Sequence, residues 1–276
     1  MANKLFQSVF ALLLFATSVC AETTIGKFTV CLGNDTATCG KLIVYPAEKC
    51  KSDSVLAGVS ILICPGGGYS RLVMANEGYD WVEYFKSMGI TVAILKYSMP
   101  HGVPSVPVAD AEKGIRMMRD SATAWRINPN RIGIMGFSAG GHLASIITTS
   151  RDTLIRPNFS LLMYPVITMS ESFMHKRSHK EFMGEKPSRE IEIQYSADKR
   201  VDESTPPVFL ALSNDDRNVN PLNSLRFYEA MLTCNRPCSM HVYPTGRHGW
   251  GFNKSFAFHD QMLDEVKQWL KHLLCK

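Results

Sequence analysis

A serine set between glycines, two adjacent aspartates and one histidine in a glycine-flanked loop are the residues of this chain that could act together. Ser138 stands at the centre of Gly136-Phe137-Ser138-Ala139-Gly140. A hydroxyl is a weak nucleophile unless a base removes its proton. A histidine serves as that base when a carboxylate fixes its tautomer and stabilises the imidazolium. Asp215 and Asp216, in "NDDRNVNP", are the candidate carboxylates, and His248, in "GRHGWG", is the candidate base. Upstream, the glycines of Pro65-Gly66-Gly67-Gly68-Tyr69 let backbone N–H groups point into a cavity. Together with the N–H of Ala139 they could hold an oxyanion. A G-x-S-x-G match alone arises often by chance. The order serine, aspartate, histidine, with a glycine run ahead of them, is what points to acyl transfer through a serine nucleophile. His142, one turn into the helix after Ser138, reads as a residue that supports the site from behind or simply packs. His101, His175, His179, His241, His259 and His272 have no such context and read as surface residues.

Each of these parts must sit at the end of a strand. "TIGKFTVCL" and "GKLIVYPA" are short and half-polar, as in an antiparallel edge pair. "GVSILIC", "ITVAILKYS", "RIGIMGF", "FSLLMYPVIT", "PPVFLALS" and "SMHVYP" are largely apolar runs. Between them lie segments of helical spacing: 80–89, 108–126, the run after Ser138, "LNSLRFYEAMLTC" and a final helix from about 257 to 274. Apolar strands separated by helices predict a mostly parallel, doubly wound α/β sheet with helices on both faces. In such sheets ligand chemistry gathers beyond the carboxyl ends of the strands. The glycine run, Ser138, the aspartates and His248 all fall at such ends. The polar stretch 169–205 is the one irregular insertion, with two short helices predicted in it, and it is too small for a large cap.

The chain has 276 residues, 45% apolar and 20% charged, which suits one sizeable globular core. Its formal charge of +5 is scattered, with no basic run and no aromatic ladder, so no nucleic-acid partner is expected. "MANKLFQSVFALLLFATSVCAETT" has a basic start, an apolar centre and small residues before Ala21. It reads as a signal peptide over 1–21, ahead of a single domain over 22–276, which implies a secreted or periplasmic protein. Lipid anchoring through Cys20 is the weaker reading, because Val19 suits it poorly. No other segment reads as a membrane span. Seven cysteines follow the cleavage point. Export makes disulfides plausible, and Cys31 with Cys39 and Cys234 with Cys238 are locally convenient, but spacing does not determine pairing. Cys64, ending an apolar strand, reads as a buried small hydrophobe. No metal site and no cofactor are indicated.

"PGGGYSRL…NEG", "GITVAILKYSMP", "RIGIMGFSAGGHLAS", "TPPVFLALSNDDRNVNPLNSLRFYEAM" and "YPTGRHGWGF" carry a resemblance over roughly residues 40–275. They resemble the small secreted α/β-hydrolases grouped as acetylxylan esterase or feruloyl esterase-like proteins of plant-fibre degraders. The resemblance implies the α/β-hydrolase fold with a minimal cap, Ser138 as nucleophile and His248 as base. The acid of the family sits four residues before a proline. Here Asn220 takes that place and Pro221 follows, so counting from Asn220 gives Asp216, with Asp215 as the alternative. Gly67 and Gly68 are the oxyanion donors the resemblance implies, although Pro65 stands where many relatives have histidine. The implied partner is an acylated polysaccharide or oligosaccharide, with deacetylation of xylan or related sugars favoured. A feruloyl esterase, an arylformamidase-like amide hydrolase and a hydrolase-fold binding protein without catalysis are the alternatives.

Overall fold

A computed structural model describes residues 26–33, 39–47 and 55–275. The segment 1–21, read from the sequence as a signal peptide, lies outside the described residues, as does Cys50. No helix among the described residues is long and apolar enough to cross a membrane.

Eight strands form one sheet: β1 (Phe28–Cys31), β2 (Lys41–Tyr45), β3 (Ser60–Cys64), β4 (Thr91–Lys96), β5 (Ile132–Phe137), β6 (Phe159–Met163), β7 (Val208–Ser213) and β8 (Cys238–Tyr243). Their order is β1-β2-β4-β3-β5-β6-β7-β8. β2 pairs antiparallel with β1 and β4, and every other pair is parallel. The central strands are buried on both faces, and the period of two sorts their side chains. Leu62, Ile134, Leu162 and Leu210 face one core, shared with Ile115 and Met118 of α2 (Ser105–Asp120), Leu143 and Ile147 of α4 (Ser138–Thr148), and Phe227 and Met231 of α7 (Leu222–Thr233). Ile61, Ile63, Met135, Leu161 and Phe209 face the other, with Trp81 and Phe85 of α1 (Trp81–Ser87) and Val266 and Leu270 of α8 (His259–Leu274). Continuous apolar strands are therefore the expected consequence of helices on both faces.

Two details depart from the pattern read along the chain. The segment 108–126 is not one helix: α2 begins earlier, at Ser105, and stops at Asp120, and a single turn, α3 (Ala122–Trp125), follows. Arg126, in the left-handed region at φ 56°, ends that turn. β6 ends at Met163 because Tyr164 turns to φ 37° ahead of Pro165. The insertion holds α5 (Lys176–Met183), α6 (Arg189–Gln194) and a short 3-10 turn. The cysteines among the described residues are thiols, the two convenient pairs included. Cys64 is fully buried.

Candidate active site

The order of the strands reverses between β3 and β5, so the loops that leave these neighbours diverge and open a crevice. The glycine run leaves β3 and Ser138 leaves β5. Ser138 adopts φ 51°, a conformation that disfavours a residue bearing a Cβ. The turn is tight as well as strained. A Cβ on Gly140 would overlap the Cys64 and Pro65 carbonyl oxygens, and one on Gly136 would meet the Gly140 carbonyl. The G-x-S-x-G spacing thus has a local cause: the helix must start directly against the preceding strands.

Three side chains from three strand ends meet. His248 Nε2 lies 2.8 Å from Ser138 Oγ, and His248 Nδ1 lies 2.7 Å from Asp216 Oδ2. The other Asp216 oxygen, Oδ1, accepts the Asn218 and Val219 amides at 2.8 and 3.0 Å. That turn holds the carboxylate in one orientation, and Asp216 is buried. The adjacent Asp215 points elsewhere, its Oδ1 accepting the Arg247 amide at 2.7 Å. Asp215 thereby anchors the loop that carries His248.

Ala139 follows Ser138 in the first turn of α4, where backbone N–H groups lack intrahelical acceptors and the helix dipole favours negative charge. Gly67 and Gly68 adopt φ 130° and 66° in the facing loop. The amides of Gly67, Gly68 and Ala139 take no acceptor among the described residues. Gly66, not singled out from sequence, presses on the serine: a Cβ there would come within 2.9 Å of Ser138 Cβ.

Two further residues were missed. Glu77 is buried, and its Oε2 accepts the Gly66 amide at 2.8 Å while its Oε1 accepts the Tyr164 hydroxyl at 2.9 Å. Tyr164 Oη in turn accepts the Gly251 amide at 2.9 Å, and its ring stands edge-on to the His248 imidazole at 4.9 Å. This strut ties the glycine loop after β3 to the histidine loop after β8. Burial raises the Glu77 pKa, with the Tyr164 and Gly66 hydrogen bonds opposing the shift. The only sequence signal was an acidic residue in the short "NEG" stretch after a glycine loop.

His142 is wholly buried beneath the site. Its Nε2 donates to the Tyr195 carbonyl at 2.7 Å, so Nδ1 accepts from the Tyr69 hydroxyl, also at 2.7 Å. Burial lowers its pKa from 6.5 to about 4. Between those values the unfolded chain binds a proton that the folded chain excludes. This contribution to stability is therefore full above pH 6.5 and is lost as the pH falls to about 4, up to about 3 kcal/mol. Urea midpoints at pH 7 and pH 4.5 should show the loss in the wild-type chain and a smaller one in His142→Gln. Parallel losses in both would assign the acid sensitivity to other groups.

The remaining histidines are not all at the surface. His259 is buried against the Phe252 ring, because the first turn of α8 points inward. His241 is half-buried, stacked on Phe209 and paired with Glu265. His175 and His179, four residues apart, have the spacing of helical metal ligands but are engaged otherwise. His175 caps α5 through Ser178, and His179 bonds Glu192. No group of three or more metal-ligating side chains occurs among the described residues.

The sheet order, the strained serine between β5 and α4 and the hydroxyl–imidazole–carboxylate chain at the strand ends define the class: this is an α/β hydrolase. Residues 51–231 match the BD-FAE family model, and the chain belongs to that family. It is 41% identical over 277 residues to an acetylxylan esterase of Xylanibacter ruminicola, an alignment covering 99% of this chain and 55% of that protein. It is 30% identical over 204 residues to an endo-1,4-beta-xylanase B of Butyrivibrio fibrisolvens, covering 68% of this chain and 32% of the relative. The chain therefore spans about half the length of the first of these relatives and less of the second. Among solved structures, an acetyl ester-xyloside bifunctional hydrolase from Caldicellulosiruptor lactoaceticus superimposes with a TM-score of 0.82 at 29% identity, covering 91% of this chain and 98% of that one.

Proposed function

We propose that this protein is an exported serine carboxylesterase that removes short acyl groups, acetyl above all, from xylan or related plant polysaccharides. The observation that carries the reading is the unbroken hydrogen-bonded chain from Ser138 Oγ through His248 to Asp216. Ser138 Oγ attacks the ester carbonyl while His248 Nε2 takes its proton. The amides of Gly67, Gly68 and Ala139 hold the oxyanion of the tetrahedral intermediate. His248 then gives the proton to the departing sugar oxygen, leaving an acetyl-Ser138 ester. A water, deprotonated by His248, attacks that ester and releases acetate, and the proton returns to Ser138. Asp216 keeps the Nδ1 proton on His248 and balances the imidazolium. The likeness to an acetylxylan esterase along nearly the whole of this chain supports the choice of acyl group and polymer.

The acyl preference has a physical test. Long-chain esterases need an apolar trough, and each buried methylene contributes about 0.8 kcal/mol. In the insertion, Phe182 and Met183 turn inward, Phe182 packing beside Tyr69 and His142, and Ile191 and Ile193 of α6 are the only large apolar side chains the insertion leaves well exposed, too few to line a trough. Values of kcat/KM for nitrophenyl esters from two to twelve carbons should be highest for acetyl and propionyl. A maximum at eight carbons or beyond would refute the deacetylase reading. Release of acetate from acetylated xylan, set against release of ferulate from feruloylated arabinoxylan, decides between the two esterase readings.

A further inference from the structure

We infer that the candidate site is built for acetylated oligosaccharides that carry a carboxylate, such as a uronic acid branch near the acetyl group. This rests on the esterase reading above and names a feature of its substrate. A cleft of about 510 Å³ opens directly beside His248, lined by Asp215, Arg217, Asn218 and Arg247. Arg217 follows Asp216 in the chain and Arg247 precedes His248. The acid loop and the base loop thus each bring one arginine to the lining of the same cleft, and the contact between Asp216 and His248 fixes the two loops together.

Some surface arginines are matched by carboxylates, Arg116 by Asp152, Arg151 by Asp202 and Arg226 by Glu229, and others are spent on backbone carbonyls, as Arg131 is on Val55 and Arg236 on Thr205. Neither Arg217 nor Arg247 has a carboxylate partner among the described residues. Asp215 is the one acidic side chain in the lining, and its Oδ1 is engaged by the Arg247 amide rather than by a guanidinium. Two cations and one anion leave the cleft wall with a net charge of +1. A third guanidinium stands at the glycine loop, where Arg177 donates to Ser70 Oγ at 2.8 Å and its Cδ would lie 3.2 Å from a Cβ on Gly68. Guanidinium groups hold carboxylates through paired N–H donors, and like charges converging on one cleft favour an anion that bridges them. A neutral acetylated sugar would leave these charges facing only water.

The test compares kcat/KM for two acetylated xylo-oligosaccharides of equal length, one with a glucuronic acid branch and one without, at low and high NaCl. The wild-type enzyme should prefer the acidic substrate by roughly tenfold at low salt, and 0.5 M NaCl should remove most of that preference, because exposed charges are screened. Arg217→Gln and Arg247→Gln should each reduce the preference by roughly threefold, and the double variant should abolish it. Equal constants for the two substrates in low salt would overturn the inference, as would a preference that persists in high salt and in both variants. If a variant does not fold, the wild-type salt series decides. Hydrolysis of 4-nitrophenyl acetate by the same wild-type preparation separates the two readings. If that ester is not cleaved, the esterase reading fails. If it is cleaved and the acidic preference is absent, the substrate inference alone fails.

Discussion

Ser138→Ala should abolish acetyl ester hydrolysis while the chain still folds. In the proposed mechanism, removing Ser138 Oγ eliminates the acyl-enzyme route, and what remains is the contribution of the proposed oxyanion donors and binding, roughly 10³–10⁴-fold over water. The expected fall in kcat is therefore on the order of 10⁶, the size seen when one member of a comparable triad is removed from a serine protease. Folding should survive because the side chain is small and its hydrogen bond to His248 is the one it makes. The same position tests the backbone strain. Ser138 holds φ 51° with a Cβ present, so Ser138→Gly should melt higher than Ser138→Ala, by an amount corresponding to about 1 kcal/mol. Circular dichroism melts check the fold, and a nitrophenyl acetate assay checks turnover. A folded Ser138→Ala enzyme with wild-type turnover would end the serine esterase reading.

Asp216→Asn should cost on the order of 10⁴ in kcat, whereas Asp215→Asn should cost less than tenfold. The difference follows from what each carboxylate faces. Asp216 Oδ1 accepts two backbone amides, so an asparagine must place its own carbonyl there. Its NH₂ group then points at His248 Nδ1, which must accept, and the ring proton moves to Nε2. That nitrogen can no longer take the Ser138 proton. Asp215 offers one oxygen to the Arg247 amide, and the asparagine carbonyl can do the same. Steady-state kinetics on both variants check this. A crippled Asp215→Asn beside an active Asp216→Asn would reverse the assignment of the acid. Asp215→Ala, which removes the anchor of the histidine loop, should fall between them.

The fold class was legible because its causes are local and repeated. A strand covered on both faces must be apolar throughout, and β3, β5 and β7 show this without reference to anything distant. The serine turn was legible for a similar reason, since a helix that starts against neighbouring strands admits nothing larger than glycine two residues to either side. The order serine, aspartate, histidine was equally visible along the chain, and it narrowed the chemistry to nucleophilic acyl transfer. What sequence left open, tertiary structure decided. Asp215 and Asp216 are adjacent and chemically alike, and only the turn that engages Asp216 Oδ1 with the Asn218 and Val219 amides turns one toward His248 and the other toward Arg247. Glu77 and Tyr164 lay 87 positions apart with nothing in their neighbours to couple them. Their partnership exists because the sheet brings the loops after β3, β6 and β8 together over one buried carboxyl group. His259 was misread for the same reason: which face of α8 points inward depends on the aromatic cluster it meets, not on the histidine itself. Periodicity along a chain reports the surroundings of a segment, whereas the direction of a single polar side chain depends on groups that folding alone brings near it.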